Sequence, residues 1–321
     1  MDVHAKADFS PPGGATKAIE ISLITEAYNF SEGQSLAALF AALQMLAACS
    51  DGYPDREALL IDASGDARIA AMAQRHFPRV RHLHCALNGY EQIKQFAAEQ
   101  ARGRIVAYLD GDCMPSYANW LEKLTAPIRA GQAIATCGTT VYRGDTVLGA
   151  LTSVMDFGFV TESKGGPIGC YPSNNVAFLR AKRLAIPVPG GALRCRCYAH
   201  AQELMRRGQP VVHVPEALVV HEPPPLLAER YRRGYDLVAA CWADPRLSQA
   251  RWLRWSVAAA PLFYAQALLG DWRRLGPDMV PKSTARRRLL ARLLAPWLRL
   301  IDLGGIVRAL ALGPSRRWLG Q

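Results

Sequence analysis

The sequence predicts an α/β fold, a single mixed and mainly parallel sheet flanked by helices, with a helical extension at its C-terminal end. Across residues 19–222, short Val/Ile/Leu-rich runs alternate with amphipathic stretches, the pattern of strands joined by crossover helices. The run Ile105–Val106–Ala107–Tyr108–Leu109 stops abruptly at Asp110–Gly111–Asp112. A fully buried strand thus delivers two carboxylates at its carboxyl end, where open α/β sheets bind ligands. Residues 225–321 hold 17 Lys/Arg against 6 Asp/Glu, which accounts for the whole formal charge of +11, and interleave them with Leu, Ala and Trp.

Met1–Ala18 is a polar, Pro/Gly-containing lead-in of the kind that stays mobile. Ile19–Thr25 is a first strand, Glu26–Gly33 a turn, and the apolar spacing from about Ser35 to Ala48 an amphipathic helix. Ala58–Asp62 is a second strand, and the polar turn Asp62–Ala63–Ser64–Gly65–Asp66 starts another helix with capping side chains. Val80–Cys85 is a third strand, and a helix over Gln92–Arg102 precedes the strand at Ile105. A helix over Trp120–Ala130 leads to the strand Ala133–Thr140; the Gly/Pro/Ser-containing segment around Lys164–Asn175 is long enough to belong to a functional surface. Asn175–Phe178 is a strand, Tyr198–Arg207 a helix closed by Gly208, and Val211–Val214 and Ala217–His221 two short strands. Pro223–Pro224–Pro225 ends the α/β part. The organisation is a tail over 1–18, one α/β domain over 19–222 and a basic, apolar helical region over 223–321.

With 321 residues, core volume is not limiting. Eight cysteines without a CxxC pair, and an N-terminal stretch without an apolar h-region, lead us to expect reduced thiols in the cytoplasm. The basic C-terminal region calls for an anionic partner. It has no basic patch with splayed aromatics for base stacking, which argues against nucleic acid and for an anionic membrane surface.

In an extended Asp-x-Asp both side chains share one face. Asp110 and Asp112 are therefore expected to meet one hard cation, with Gly111 letting a phosphate or sugar approach the backbone. The tripeptide alone equally fits a turn with helix-capping carboxylates; the buried strand before it favours a site.

Taken in order, these elements resemble a family-2 glycosyltransferase of GT-A fold over roughly residues 19–222. Ile21–Asn29 is similar to the family's opening strand and turn, which implies that Thr25, Glu26, Tyr28 and Asn29 hold the nucleotide. Asp62 matches the acidic residue that contacts uracil or ribose, and Gly89 and Lys94 resemble the glycine and basic residue facing the diphosphate. Asp110–Gly111–Asp112 matches the Asp-x-Asp motif, with Asp110 expected on ribose or donor sugar and Asp112 on the metal, Mg²⁺ or Mn²⁺. His221 matches the histidine that completes the metal site, and Ser173–Asn174–Asn175 resembles the segment under the acceptor. The resemblance implies an inverting hexosyltransferase that uses a nucleotide-diphosphate sugar, with UDP-sugars the expected donors. The sequence departs from the family at the general base: counting back from Gly208, Arg196–Cys197 stands where Glu-Asp is usual. His200 and Cys197 are the nearby candidates, His200 preferred for its pKa, and an acceptor that ionises without help, such as a phosphate or carboxylate, is the other solution.

Trp255–Gly270 is uncharged for 16 residues, short of the roughly 20 that cross a bilayer, and Pro261 interrupts it. Leu289–Leu312 is apolar but carries Arg292, Arg299, Asp302 and Arg308 near one helical face. Two interfacial or re-entrant helices are expected, on the inner face of the cell membrane, which points to a lipid-linked or polysaccharide acceptor. Ser248–Trp252 superficially resembles the QxxRW of processive synthases with spacing one residue short, so that role is not carried over. Two other readings stand beside this one: a soluble transferase acting on a small acceptor, with these helices as an oligomer interface, and a non-catalytic nucleotide-sugar-binding homologue.

Overall fold

The computed structural model describes residues 18–27, 35–87, 89–142, 146–189, 196–222, 226–243, 260–276 and 284–312. The expected lead-in Met1–Lys17, Tyr28, Asn29, Ser248–Trp252 and the start of the Trp255–Gly270 stretch lie outside them. The first strand, β1 (Ile21–Glu26), is buried at every position, as both faces of a central parallel strand must be. It pairs in parallel with β2 (Arg56–Asp62) and β4 (Ile105–Leu109), while β3 (Arg81–His84) runs parallel to β2 at the edge. Three crossover helices connect them: α1 (Leu36–Ser50), α2 (Ala67–His76) and α3 (Tyr90–Gln100). Ser35 and Asp66 cap the first two, accepting from the backbone N–H of Ala38 and Arg68.

Beyond β4 the chain forms β5 (Cys113–Pro115), α4 (Trp120–Arg129), β6 (Ala135–Tyr142), α5 (Val147–Thr161), β7 (Gly166–Ile168), β8 (Asn175–Leu179), α6 (Arg180–Ala185), α7 (Arg196–Arg206) and β9 (Val211–His221). One sheet results, in the order β3-β2-β1-β4-β8-β6-β9-β5, with β7 added to β9. Ile21, Leu23 and Leu60 face an apolar layer under α1, α2 and α4, whereas Ile24, Leu59 and Tyr108 face another under α3 and α7. The two short strands expected around Pro215 are one strand. Its register against β6 shifts between Gly138 and Thr140, and the bulge absorbs a proline that cannot donate to the ladder.

Three helices follow: α8 (Leu226–Ala243), α9 (Ala260–Arg274) and α10 (Ala285–Leu312). α10 lies on α8 backbone to backbone. A Cβ on Gly234 would sit 1.9 Å from the Asp302 carbonyl oxygen, and one on Gly305 2.0 Å from that of Tyr231. Pro296 cannot donate to the Arg292 carbonyl one turn earlier, and the Trp272 indole N–H fills that place at 3.0 Å. Leu275, Ala291, Ala295 and Leu298 pack on Ala150, Leu151 and Val154 of α5, joining the extension to the sheet layer.

The expected polar stripe of α10 is partly reversed. Arg299 points inward, bidentate to Asp271 at 2.7 and 2.8 Å and bound to Asp302 at 2.8 Å, and Arg230 of α8 joins Asp302 to Asp156 of α5. The outward side of α10 instead exposes Leu289, Leu293 and Leu300, with Trp297 at 67%, and α9 exposes Leu262 and Leu269. Among the described residues no helix is long and apolar enough to cross a membrane.

Candidate active site

Because β1 and β4 are parallel neighbours with Ile24 level with Tyr108, Glu26 and Asp110 leave the sheet side by side. Asp110 is 4% exposed, and both its oxygens are held from α3: Tyr90 donates its hydroxyl to Oδ2 at 2.6 Å, and Lys94 donates Nζ–H to Oδ1 at 2.7 Å. Lys94 also donates to the Ser173 carbonyl at 2.6 Å. Burial pushes the Asp110 carboxyl up, but the Lys94 ammonium and these hydrogen bonds outweigh it and hold the group below the usual carboxylate range. Glu26 has the opposite fate. Burial, reinforced by the Asp110 charge and a hydrogen bond shared with that carboxylate, pushes it well above its ordinary value, with Lys94 Nζ 4.0 Å from its Oε2. Thr25 Oγ1 is buried and has no hydrogen-bond partner among the described residues.

The two motif carboxylates do not share a face. The Cys113 N–H donates to the Asp110 carbonyl at 3.0 Å, closing Asp110–Gly111–Asp112–Cys113 into a turn instead of the expected extended segment. Asp110 turns under the site toward Lys94, and Asp112 turns toward the end of β9, where His221 Nε2 lies 3.6 Å from its Oδ1. His221 Nδ1 lies 2.5 Å from the Glu222 carbonyl oxygen, to which it donates, and Nε2 is the ring nitrogen that faces Asp112. Tyr142 meets the imidazole edge-on at 5.2 Å between centroids, and its hydroxyl bonds Asp156 at 3.1 Å. One carboxylate oxygen, one free imidazole nitrogen and the Cys113 sulfur lie within 4.8 Å of one another, a donor set that fits a divalent cation.

Several expected site residues have other occupations. Lys94, 3% exposed, is locked beneath Asp110 and does not face outward toward a diphosphate. Asp62, 2% exposed, accepts from Ser64 N–H at 2.9 Å and Ser64 Oγ–H at 2.6 Å and lies 3.1 Å from His82, so it holds its own turn. The acceptor segment is largely internal. Asn175 accepts from the Trp120 indole and donates to the Thr139 and Ala217 carbonyls, and Asn174 accepts from Thr140. These amides stitch β8 to its neighbours, and Gly138 is glycine because a Cβ there would fall 2.0 Å from the Ala217 carbonyl oxygen and 2.4 Å from the Asn175 amide nitrogen. Ser173 alone of the three is not fully buried.

Neither base candidate is presented to an acceptor. His200 is fully buried, with Tyr171 on Nδ1 at 2.7 Å and the Ile186 carbonyl on Nε2 at 2.8 Å; burial, with the Arg183 charge, lowers its pKa to about 4. Cys197 is tied to the Cys170 thiol, whose hydrogen bond holds it below the usual thiol range against its burial. The sequence reading missed Tyr90, whose spacing of four from Lys94 puts both on one face of α3, and Cys113, which follows the motif directly.

The sequence model of the family described as Glycosyl transferase family 2 matches residues 22–182. No significant match exists among curated proteins. Among solved structures, the mannosyltransferase PcManGT from Pyrobaculum calidifontis, in complex with GDP-Man and Mn²⁺, superposes with a TM-score of 0.55 at 17% identity, over 91% of this chain and 86% of that one. GalNAc-T7, with UDP, GalNAc and Mn²⁺, gives 0.49 at 14% identity over 78% of this chain and 52% of its own, and a mycobacterial protein 0.49 at 15% over 70% and 74%.

Proposed function

Because this chain belongs to glycosyl transferase family 2, we propose that it moves a sugar from a nucleotide-diphosphate donor, with Mg²⁺ or Mn²⁺ held at Asp112 and His221, onto a lipid-linked acceptor at an anionic membrane surface. Family membership and the shared architecture make it a glycosyltransferase of GT-A fold. The finer reading is carried by the convergence of Asp112 and His221, 3.6 Å apart beside the buried Asp110. The Pyrobaculum enzyme of the same fold, solved with Mn²⁺ and GDP-Man, supports the choice of cation and donor class.

A divalent cation held by Asp112 and His221 would supply positive charge for the leaving diphosphate. Asp110, kept ionised by Lys94 and Tyr90, retains lone pairs for a sugar or ribose hydroxyl. Glu26, which burial and the Asp110 charge push well above its ordinary value, stands beside Asp110 at the base of the site. An acceptor oxygen attacks the anomeric carbon, the bond to the diphosphate breaks, and the electron pair departs with the nucleoside diphosphate. With His200 buried against Tyr171 and Cys197 hydrogen-bonded to the Cys170 thiol, an acceptor oxygen that is already ionised, such as a lipid phosphate, fits this site best. The membrane reading is supported by the apolar outward face of α9 and α10 with exposed Arg273, Arg286 and Arg292 beside it. The cytoplasmic face of the membrane is the proposed location.

Titration of the purified protein with a panel of nucleotide sugars, with and without Mn²⁺, tests the reading. Metal-dependent thermal stabilisation by one donor with nucleotide release on adding lipid phosphate is expected. Stabilisation without release under any acceptor would favour the binding-protein reading, and no response to any donor would remove the proposed donor site.

A further inference from the structure

We propose that Cys113 completes, with Asp112 and His221, a three-ligand site that takes a soft divalent cation of the Zn²⁺ class in competition with the hard cation of sugar transfer. The inference rests on the site reading above and deepens it. In the antiparallel pair of β5 and β9, Cys113 stands directly opposite His221, so both side chains lie on the same face. Asp112, one residue earlier in the turn, reaches both: its Oδ1 is 3.7 Å from Cys113 Sγ and 3.6 Å from His221 Nε2. A tetrahedral zinc site with metal–sulfur bonds of about 2.3 Å and metal–nitrogen or metal–oxygen bonds of about 2.0–2.2 Å has ligand separations of roughly 3.3–3.6 Å. The two edges at Asp112 lie close to that geometry, and the three ligand atoms all lie within 4.8 Å of one another, so binding draws Cys113 and His221 together.

The donor chemistry separates the two cations. Mg²⁺ and Mn²⁺ favour oxygen ligands, whereas a thiolate and an imidazole together favour Zn²⁺ or Cd²⁺. Three protein ligands leave a fourth position open for water or a diphosphate oxygen. His221 is already oriented for this, with Nδ1–H directed at the Glu222 carbonyl and Nε2 facing the other two ligands. On binding, the Cys113 S–H bond breaks, a sulfur–metal bond forms and the proton passes to solvent, with no change of oxidation state. Zn²⁺ held in this way displaces Mn²⁺ and slows transfer, and excess Mn²⁺ restores it.

The test uses the full chain, stripped of metal and titrated with Cd²⁺, whose thiolate charge-transfer absorption reports the sulfur bond directly. One equivalent should produce that absorption, and Zn²⁺ should abolish it competitively. Cys113→Ser should remove the band and lower the preference for Zn²⁺ over Mn²⁺ by more than the roughly 10–100-fold that loss of an outer partner costs. Should Cys113→Ser fail to fold, His221→Ala must weaken Cd²⁺ binding by a similar factor. A wild-type band that persists in Cys113→Ser, or no tight Cd²⁺ absorption at all, would overturn the proposal. Mn²⁺-dependent donor stabilisation, measured alongside, reads the transferase site separately. Its absence with an intact Cd²⁺ band would sink the sugar-transfer reading and the competition with it, and leave the three-ligand site itself standing.

Discussion

Asp112 Oδ1 and His221 Nε2 face each other at 3.6 Å across the end of the β5–β9 pair, and neither side chain belongs to the apolar core. Asp112→Asn should therefore abolish Mn²⁺-dependent stabilisation by a nucleotide sugar. The ligand-free Tm should shift by no more than a few degrees, the response to a change of about 1 kcal/mol or less. Differential scanning fluorimetry with and without Mn²⁺ reads both quantities, and an equal fall in each would mark Asp112 as a structural residue instead of a ligand.

Lys94 and Asp110 form an ion pair away from water, and truncating one partner strands the other's charge. Lys94→Met should cost about 3–5 kcal/mol in denaturant unfolding, and adding Asp110→Asn should recover part of it because the uncompensated carboxylate is removed. A loss below about 1 kcal/mol for Lys94→Met would mean that the ammonium is not what holds Asp110 ionised.

His200 is held neutral by burial, with a pKa near 4 against an ordinary 6.5. Between those values the unfolded chain binds a proton that the folded chain refuses, so stability is complete above about pH 6.5 and falls as the pH drops toward 4. The full loss is about 3 kcal/mol. His213, whose pKa burial likewise lowers to about 4, adds a second contribution in the same window. Thermal melts at pH 7.5 and pH 5 should show a smaller drop in His200→Gln than in the parent chain, and identical drops would refute the assignment.

The outward Leu293 and Trp297 test the membrane face. Both are exposed, so Leu293→Glu/Trp297→Glu should alter stability by no more than about 1 kcal/mol in total while abolishing sedimentation with anionic vesicles. Unchanged vesicle binding would move the membrane contact elsewhere on the chain.

Strands β1, β2, β4 and β8 were legible because each carries a short cluster of β-forming or aliphatic residues bounded by polar turns, the pattern a buried strand requires. Helix α5 was not, since VLGALTSVMDFGFVT is apolar nearly all round and lacks a helical period. Its place between the sheet layer and α10 explains that composition. Asn175, His200 and Lys94 are all engaged by protein partners, which the sequence could not show, for one reason. A polar residue next to a motif looks the same in sequence whether it faces a ligand or ties two buried strands together.

By itself the sequence determined the alternation of strands and helices, the carboxylates at the end of a buried strand and the family to which they belong, because these depend on local composition and order. Tertiary structure alone decided that Asp110 is held by Lys94 and Tyr90 while Asp112 meets His221, that Arg299 and Asp302 turn inward, and that the apolar face of α10 turns out. Those outcomes depend on which distant segments the sheet and the helix crossings bring within hydrogen-bonding distance. Desolvation then separates a satisfied interior group from an available one.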